Sequence, residues 1–222
     1  MKAGIIVGAV LALGFCARAA ADIPPVQACA AAGRAAEQAA ALPANLLLSI
    51  GLVESGRADT LTGHVASWPW TVNVDGAGRF FADEGAAIAF VRLAESSGAR
   101  DVDVGCFQIS LQDHPDAFAT LADAFDPVRN AGYAAGFLAR LQRQTGSWVS
   151  AIADYHSATP DLGLPYERRV LAVWHGQSGA VLDSPDPFVI LQTSAARLVH
   201  VYTMDDPPSA GLPRGLPRVI TP

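Results

Sequence analysis

The sequence predicts a mainly α-helical single domain with a small β-hairpin insertion. Three observations carry that expectation: helix boundaries repeatedly marked by Pro, Asp, Ser and Gly, an alanine-rich apolar content, and one short stretch of alternating residues that breaks the helical pattern. A helix is predicted over 26–42, following Pro24-Pro25, and a second over 44–55, opened by Pro43 and closed by Gly56. Asp83 caps a third over 84–95, which Gly98 ends, and Pro115 starts a short one running to Phe125. Asp126-Pro127 begin a long helix that Gly146 ends. Ser147 caps another over 148–156, and the last runs over 165–174 before Gly176. Between the second and third helices, 70–74 and 79–81 flank a turn at Asp75-Gly76 and read as a hairpin. Residues 101–104 alternate before Gly105-Cys106-Phe107-Gln108-Ile109 and predict a short extended segment.

The ends of the chain read differently. Lys2, an apolar run over 3–15 and small residues up to Ala21 have the form of a secretory leader, residues 1–21, cleaved near Ala21. The run is too short to span a bilayer. Phe15 stands before Cys16, where lipid attachment needs a small residue. Residues 22–176 form the expected domain, and residues 177–222 a Pro-rich tail. The expected protein is therefore exported to the periplasm and not membrane-spanning.

Charge excludes some partners. Without its leader the chain loses two cations and no acid, moving the formal charge from −6 to −8. Such a chain offers no electrostatic footprint for nucleic acid. Export leaves two cysteines, Cys29 and Cys106, in a compartment that permits a disulfide, and a bridge between them is expected. His64, His114 and His156 have no spacing suited to zinc, so no metal is expected, and no Gly-x-Ser-x-Gly elbow is present.

Glu54 stands out chemically. Leu47, Ile50 and Val53 mark the apolar face of its helix, and Glu54 borders that face in the last turn. Partial burial and the negative end of the helix dipole both favour a neutral carboxyl. A carboxylic acid that stays protonated near neutral pH is what glycosidic cleavage requires of a general acid.

Glu54-Ser55-Gly56 after an apolar helix, Gly105-Cys106-Phe107-Gln108, and Ala153-Asp154-Tyr155-His156 follow in the order of three motifs of the lytic transglycosylases with the lysozyme-like fold. The resemblance covers about residues 28–174. It implies a lysozyme-like helical domain that cleaves the β-1,4 bond between N-acetylmuramic acid and N-acetylglucosamine in peptidoglycan, forming a 1,6-anhydro ring without a cofactor. On this resemblance Glu54 is the single catalytic acid/base and Ser55 helps orient substrate and acid. Gln108 lines the cleft, and the hydroxyl of Tyr155 faces the glutamate. His156 stands where the family usually has Asn, and Ser110 where many relatives have Asn. Trp68-Pro69-Trp70-Thr71-Val72-Asn73 is similar to an insertion found in some branches. Aromatic rings pack on the apolar faces of sugars, so Trp68 and Trp70 are candidate glycan contacts and Asn73 a candidate hydrogen-bonding neighbour. Asp101 and Asp103 alternate with Val102 and Val104, and Asp103 is read as a strand-edge residue. The alternatives are a hydrolase on the same fold, resembling goose-type lysozyme, and a catalytically silent periplasmic protein that binds glycan or serves assembly.

Overall fold

The computed structural model describes residues 23–59 and 62–176, so the leader and the Pro-rich tail lie outside the described residues. The helices are α1 (Pro25–Ala39), α2 (Leu46–Ser55), α3 (Glu84–Ser96), α4 (Leu121–Phe125), α5 (Pro127–Thr145), α6 (Trp148–His156) and α7 (Pro160–Gly176). The strands are β1 (Gly56–Ala58), β2 (Val65–Ser67), β3 (Thr71–Val74), β4 (Ala77–Phe80), β5 (Val102–Val104) and β6 (Ile109–Ser110). The chain is helix-rich with a small antiparallel sheet, ordered β4-β3-β5-β6, and a separate β1-β2 pair. No helix among the described residues is long and apolar enough to cross a membrane.

Most boundaries follow local chemistry. Asp83, Thr120, Asp126 and Ser147 each accept a hydrogen bond from the backbone N–H three residues on, satisfying an orphan donor of the first turn. Gly146, at φ 74°, ends α5 in the left-handed conformation that glycine adopts cheaply. The second helix is capped from outside. Asn45 makes no side-chain cap, and the buried Glu37 carboxylate of α1 instead accepts from the backbone N–H groups of Asn45, Leu47 and Leu48 at 2.7–3.1 Å.

Three expectations are corrected. Residues from Pro115 onward form turns and not a helix, and α4 begins only where Thr120 can cap it. The last helix starts at Pro160 and carries Pro165 inside it. Its first turn is held by packing: a Cβ on Gly163 would meet the Ser157 carbonyl at 2.4 Å and the Ala153 carbonyl at 3.0 Å, so the helix lies flush on the end of α6. Gly56 not only closes α2 but begins β1, whose pairing with β2 the sequence does not predict. The hairpin over β3 and β4 is present, and β5 and β6 extend it into a four-stranded sheet.

Two apolar cores result. The larger joins α1, α2, α5, α6 and α7 around Leu46, Leu47, Ile50, Leu138, Ile152 and Phe107. The Phe107 ring lies against Gly33 of α1 and Gly51 of α2, where an added Cβ would sit 3.2 Å and 2.9 Å from it. The smaller core packs Val72, Val74, Val102 and Val104 of the sheet against Val91 of α3 and Phe125 of α4. Strand alternation turns Asn73 and Asp103 to the opposite face. A cleft opens between that face and the helical body.

Candidate active site

The cleft has a volume of about 240 Å³ and is lined by Glu54, Asn73, Asp103, Gln108, Tyr155 and His156, among others. Glu54 comes from the last turn of α2 and is 3% exposed. Burial pushes its carboxyl up to about 8. The Tyr166 hydroxyl opposes that shift, the negative charge of Asp103 adds to it, and the Arg169 guanidinium opposes it. At neutral pH Glu54 is therefore mostly a neutral acid. The Tyr166 hydroxyl is directed at this carboxyl, close enough to couple with it but outside strict hydrogen-bond geometry, and it has no other partner.

Ser55 points the other way. Its hydroxyl is fully buried and donates to the Cys106 carbonyl at 2.6 Å, with a second contact to the Gly51 carbonyl at 3.2 Å. The side chain thus ties α2 to the Gly105–Gln108 loop and does not line the cleft. Asn130 of α5 holds the same loop: its amide oxygen accepts from Phe107 N–H at 2.9 Å, and its amide nitrogen donates to the Val104 and Ala124 carbonyls. The disulfide between Cys29 and Cys106 anchors it to α1 across 77 positions, as the sequence predicts.

Gln108 sits in this loop at φ 47°, an uncommon conformation for a residue with a side chain. Its amide nitrogen donates to the Gly105 carbonyl at 2.9 Å and the Thr71 carbonyl at 3.1 Å. Both partners only accept, which fixes the amide orientation. Its amide oxygen is buried without a partner, as is the side-chain oxygen of Asn73. Such atoms are costly to bury unless water or a ligand in the cleft supplies donors.

The Tyr155 hydroxyl donates to the Phe107 carbonyl at 2.9 Å and so braces the loop. The hydroxyl directed at Glu54 is that of Tyr166, one helix further on. His156 lines the cleft and stacks on Tyr166 with ring centroids 4.8 Å apart. Trp68 and Trp70 meet edge to face at 5.4 Å, and the Trp68 indole donates to the Phe81 carbonyl at 2.7 Å. Arg57 lies over the Trp68 ring. Neither tryptophan is among the residues that line this cleft.

Three neighbours of Glu54 are not visible from the motifs. Tyr166 and Arg169 stand three residues apart on α7, a spacing that puts both on one face, but nothing in the sequence says that this face meets Glu54. Asp103 is half-buried on the cleft side of β5, and its carboxyl is pushed up to about 7 by burial and then by Asp101 and Asp113. The strand alternation already separates it from the two valines, but not which face is the core. No group of three or more His, Cys, Asp or Glu among the described residues is arranged to hold a metal ion. No family model, curated protein or solved structure matches the chain.

Proposed function

We propose that the protein is an exported, lysozyme-like peptidoglycan lytic transglycosylase, and the observation that carries this reading is the buried, neutral carboxyl of Glu54 in a cleft lined by unpartnered polar groups. In the proposed reaction Glu54 gives its proton to the bridging glycosidic oxygen as the bond from C1 of the N-acetylmuramic ring breaks. The carboxylate left behind removes the proton from the C6 hydroxyl of the same ring. That oxygen bonds to C1 and closes the 1,6-anhydro ring, so the proton count balances and Glu54 ends neutral. One protein carboxyl suffices because the substrate carries its own nucleophile. The unpartnered amide oxygens of Asn73 and Gln108 are acceptors for nitrogen-borne protons of the bound substrate. Tyr166 and Arg169 stabilise Glu54 while it is ionised between the two half-reactions. The oxidised Cys29–Cys106 pair suits the periplasm, where the predicted leader would send the chain.

A second reading has a specific observation in its favour. Asp103 lies in the same cleft as Glu54, and its negative charge is felt there. A carboxylate in that position could take a proton from water while the water attacks C1, which would make the protein a hydrolase. Digestion of purified sacculi followed by mass analysis separates the two. Anhydromuramyl ends support the lyase, reducing ends support the hydrolase, and intact sacculi that bind the protein without release leave a glycan-binding protein.

A further inference from the structure

The sheet side of the cleft is rich in acceptors. Asn73, Asp103 and Ser110 stand in one row across β3, β5 and β6, because strand pairing sets Asn73 opposite Asp103 and Asp103 opposite Ser110. Asp101 and Asp113 flank the row, and all five line the cleft. The Asn73 and Gln108 side chains are only 5% and 8% exposed, and each keeps an unpartnered oxygen on this side. No Lys or Arg is among the lining residues, and the basic groups there are the imidazoles of His114 and His156. A ligand that brings donors and positive charge suits this wall.

We infer that the Asn73–Asp103–Ser110 wall, with Asp101, Asp113 and the amide oxygen of Gln108, is a subsite for a primary ammonium group of the substrate. An ammonium has three donors and no acceptor, so it can serve an amide oxygen and two carboxylates together. A neutral amide N–H would satisfy one acceptor and leave the carboxylates facing one another. That mutual repulsion is visible at Asp103, whose carboxyl is pushed up by burial and further by Asp101 and Asp113. A bound cation removes it. The inference rests on the glycan-cleaving reading of this cleft and adds its substrate class: strands carrying free amines. Two sources supply that chemistry, the C2 amine of a sugar that has lost its acetyl group and the side-chain amine of a diamino acid in the peptide stem.

The test uses the mature Glu54→Gln protein, expected to bind without turnover, at low salt and pH 7, where Asp103 can supply a carboxylate and the ligand amines carry charge. It is titrated with a β-1,4 tetramer of N-acetylglucosamine, a glucosamine tetramer, and a stem tripeptide ending in a diamino acid, free or acetylated on its side-chain amine. The expected result is about tenfold tighter binding of one amine-bearing ligand than of its acetylated form, the size of one charge-assisted hydrogen bond. Preference for the glucosamine tetramer identifies the sugar amine, and preference for the free stem identifies the peptide. Adding Asp103→Asn, the centre of the row, and Asp101→Asn, its flanking neighbour, should abolish the preference. Equal binding of free and acetylated forms overturns the inference, as does a preference that survives both substitutions. If neither tetramer binds, the glycan reading falls on its own, and the two stem peptides still decide whether the ammonium subsite exists.

Discussion

The Ser55 hydroxyl donates to the Cys106 carbonyl at 2.6 Å, a bond that joins residues 51 positions apart. It locks the residue beside the acid to the loop that presents Gln108. Ser55→Ala leaves the Cys106 carbonyl buried without that donor, which costs about 1–3 kcal/mol of stability. Because Glu54 and Gln108 then lose their common reference, turnover should fall while glycan binding weakens less. Chemical denaturation and steady-state kinetics of the variant check both effects; unchanged stability together with unchanged turnover would remove Ser55 from this role.

The disulfide acts on the same loop from the other side. Cys29 and Cys106 close a covalent ring of 77 positions, and loop-closure entropy gives the bridge about 4 kcal/mol. Cys29→Ser with Cys106→Ser should lower the unfolding free energy by roughly that amount and loosen the Gln108 loop. Denaturation of the oxidised protein against the double variant measures it, and amide hydrogen exchange locates the loosening at residues 105–108.

Much of this arrangement is legible in the sequence. Caps at Asp83, Asp126 and Ser147, and the glycine after Thr145, fix helices because a short side chain or a left-handed residue satisfies backbone groups locally. Elements held by tertiary contacts are not legible. The β1-β2 pair has little apolar alternation, and its last residue leads into Trp68, whose N–H bonds back to the Ser55 carbonyl. The start of α7 depends on Gly163 fitting against α6. The same division holds in the cleft. Glu54 is legible because its helix face and motif are local, whereas Tyr166 and Arg169 reach it only through the packing of α7 on α2. Ser55 and Tyr155 show the converse: the motifs identify residues beside the cleft but do not say that their hydroxyls bond to the Cys106 and Phe107 carbonyls.

Stability should depend on pH through the buried acids. Folding raises the Glu54 carboxyl from 4.5 to about 8 and the Asp103 carboxyl from 3.8 to about 7. Groups raised on folding bind protons more tightly in the native state, so their stabilising contribution is full below the unfolded values and is lost as pH rises through the folded ones. The melting temperature should therefore fall between about pH 5 and pH 8. Glu54→Gln should flatten that decline and be more stable than the wild type at pH 8. Melting curves across this range decide it; parallel wild-type and variant curves would show that Glu54 is ionised at both ends.

Glu54→Gln should also abolish turnover. General acid–base help is worth roughly 10²–10⁴-fold, and one side chain serving both halves of the reaction places the loss at or above the top of that range. Folding and glycan binding should survive, since Gln keeps the shape and removes a buried ionisable group. Near-normal release of products from sacculi by this variant would remove Glu54 from the acid role.

Substitutions of the two neighbours that tune Glu54 should move the pH profile in opposite directions. The Tyr166 hydroxyl opposes the upward shift of the Glu54 carboxyl, while the negative charge of Asp103 adds to it. Tyr166→Phe keeps the ring and its stacking on His156 but removes the hydroxyl, so the ionised acid loses its support and the carboxyl rises further. The limb of kcat/KM that falls with rising pH, which reports loss of the proton from the free enzyme's acid, should move above about 8. Asp103→Asn removes a like charge, lowers the Glu54 carboxyl, and should bring that limb down. Under the lyase reading the Asp103 variant keeps most of its activity at its own optimum, because the C6 hydroxyl and not an activated water attacks C1. Under the hydrolase reading it loses about 10²–10⁴-fold above about pH 7, where the wild-type Asp103 is ionised and can activate water. A profile measured for both variants on the same sacculi therefore tests the tuning and the nucleophile together: limbs that shift the same way would refute the tuning, and a large loss above about pH 7 in Asp103→Asn would reassign the attack to water.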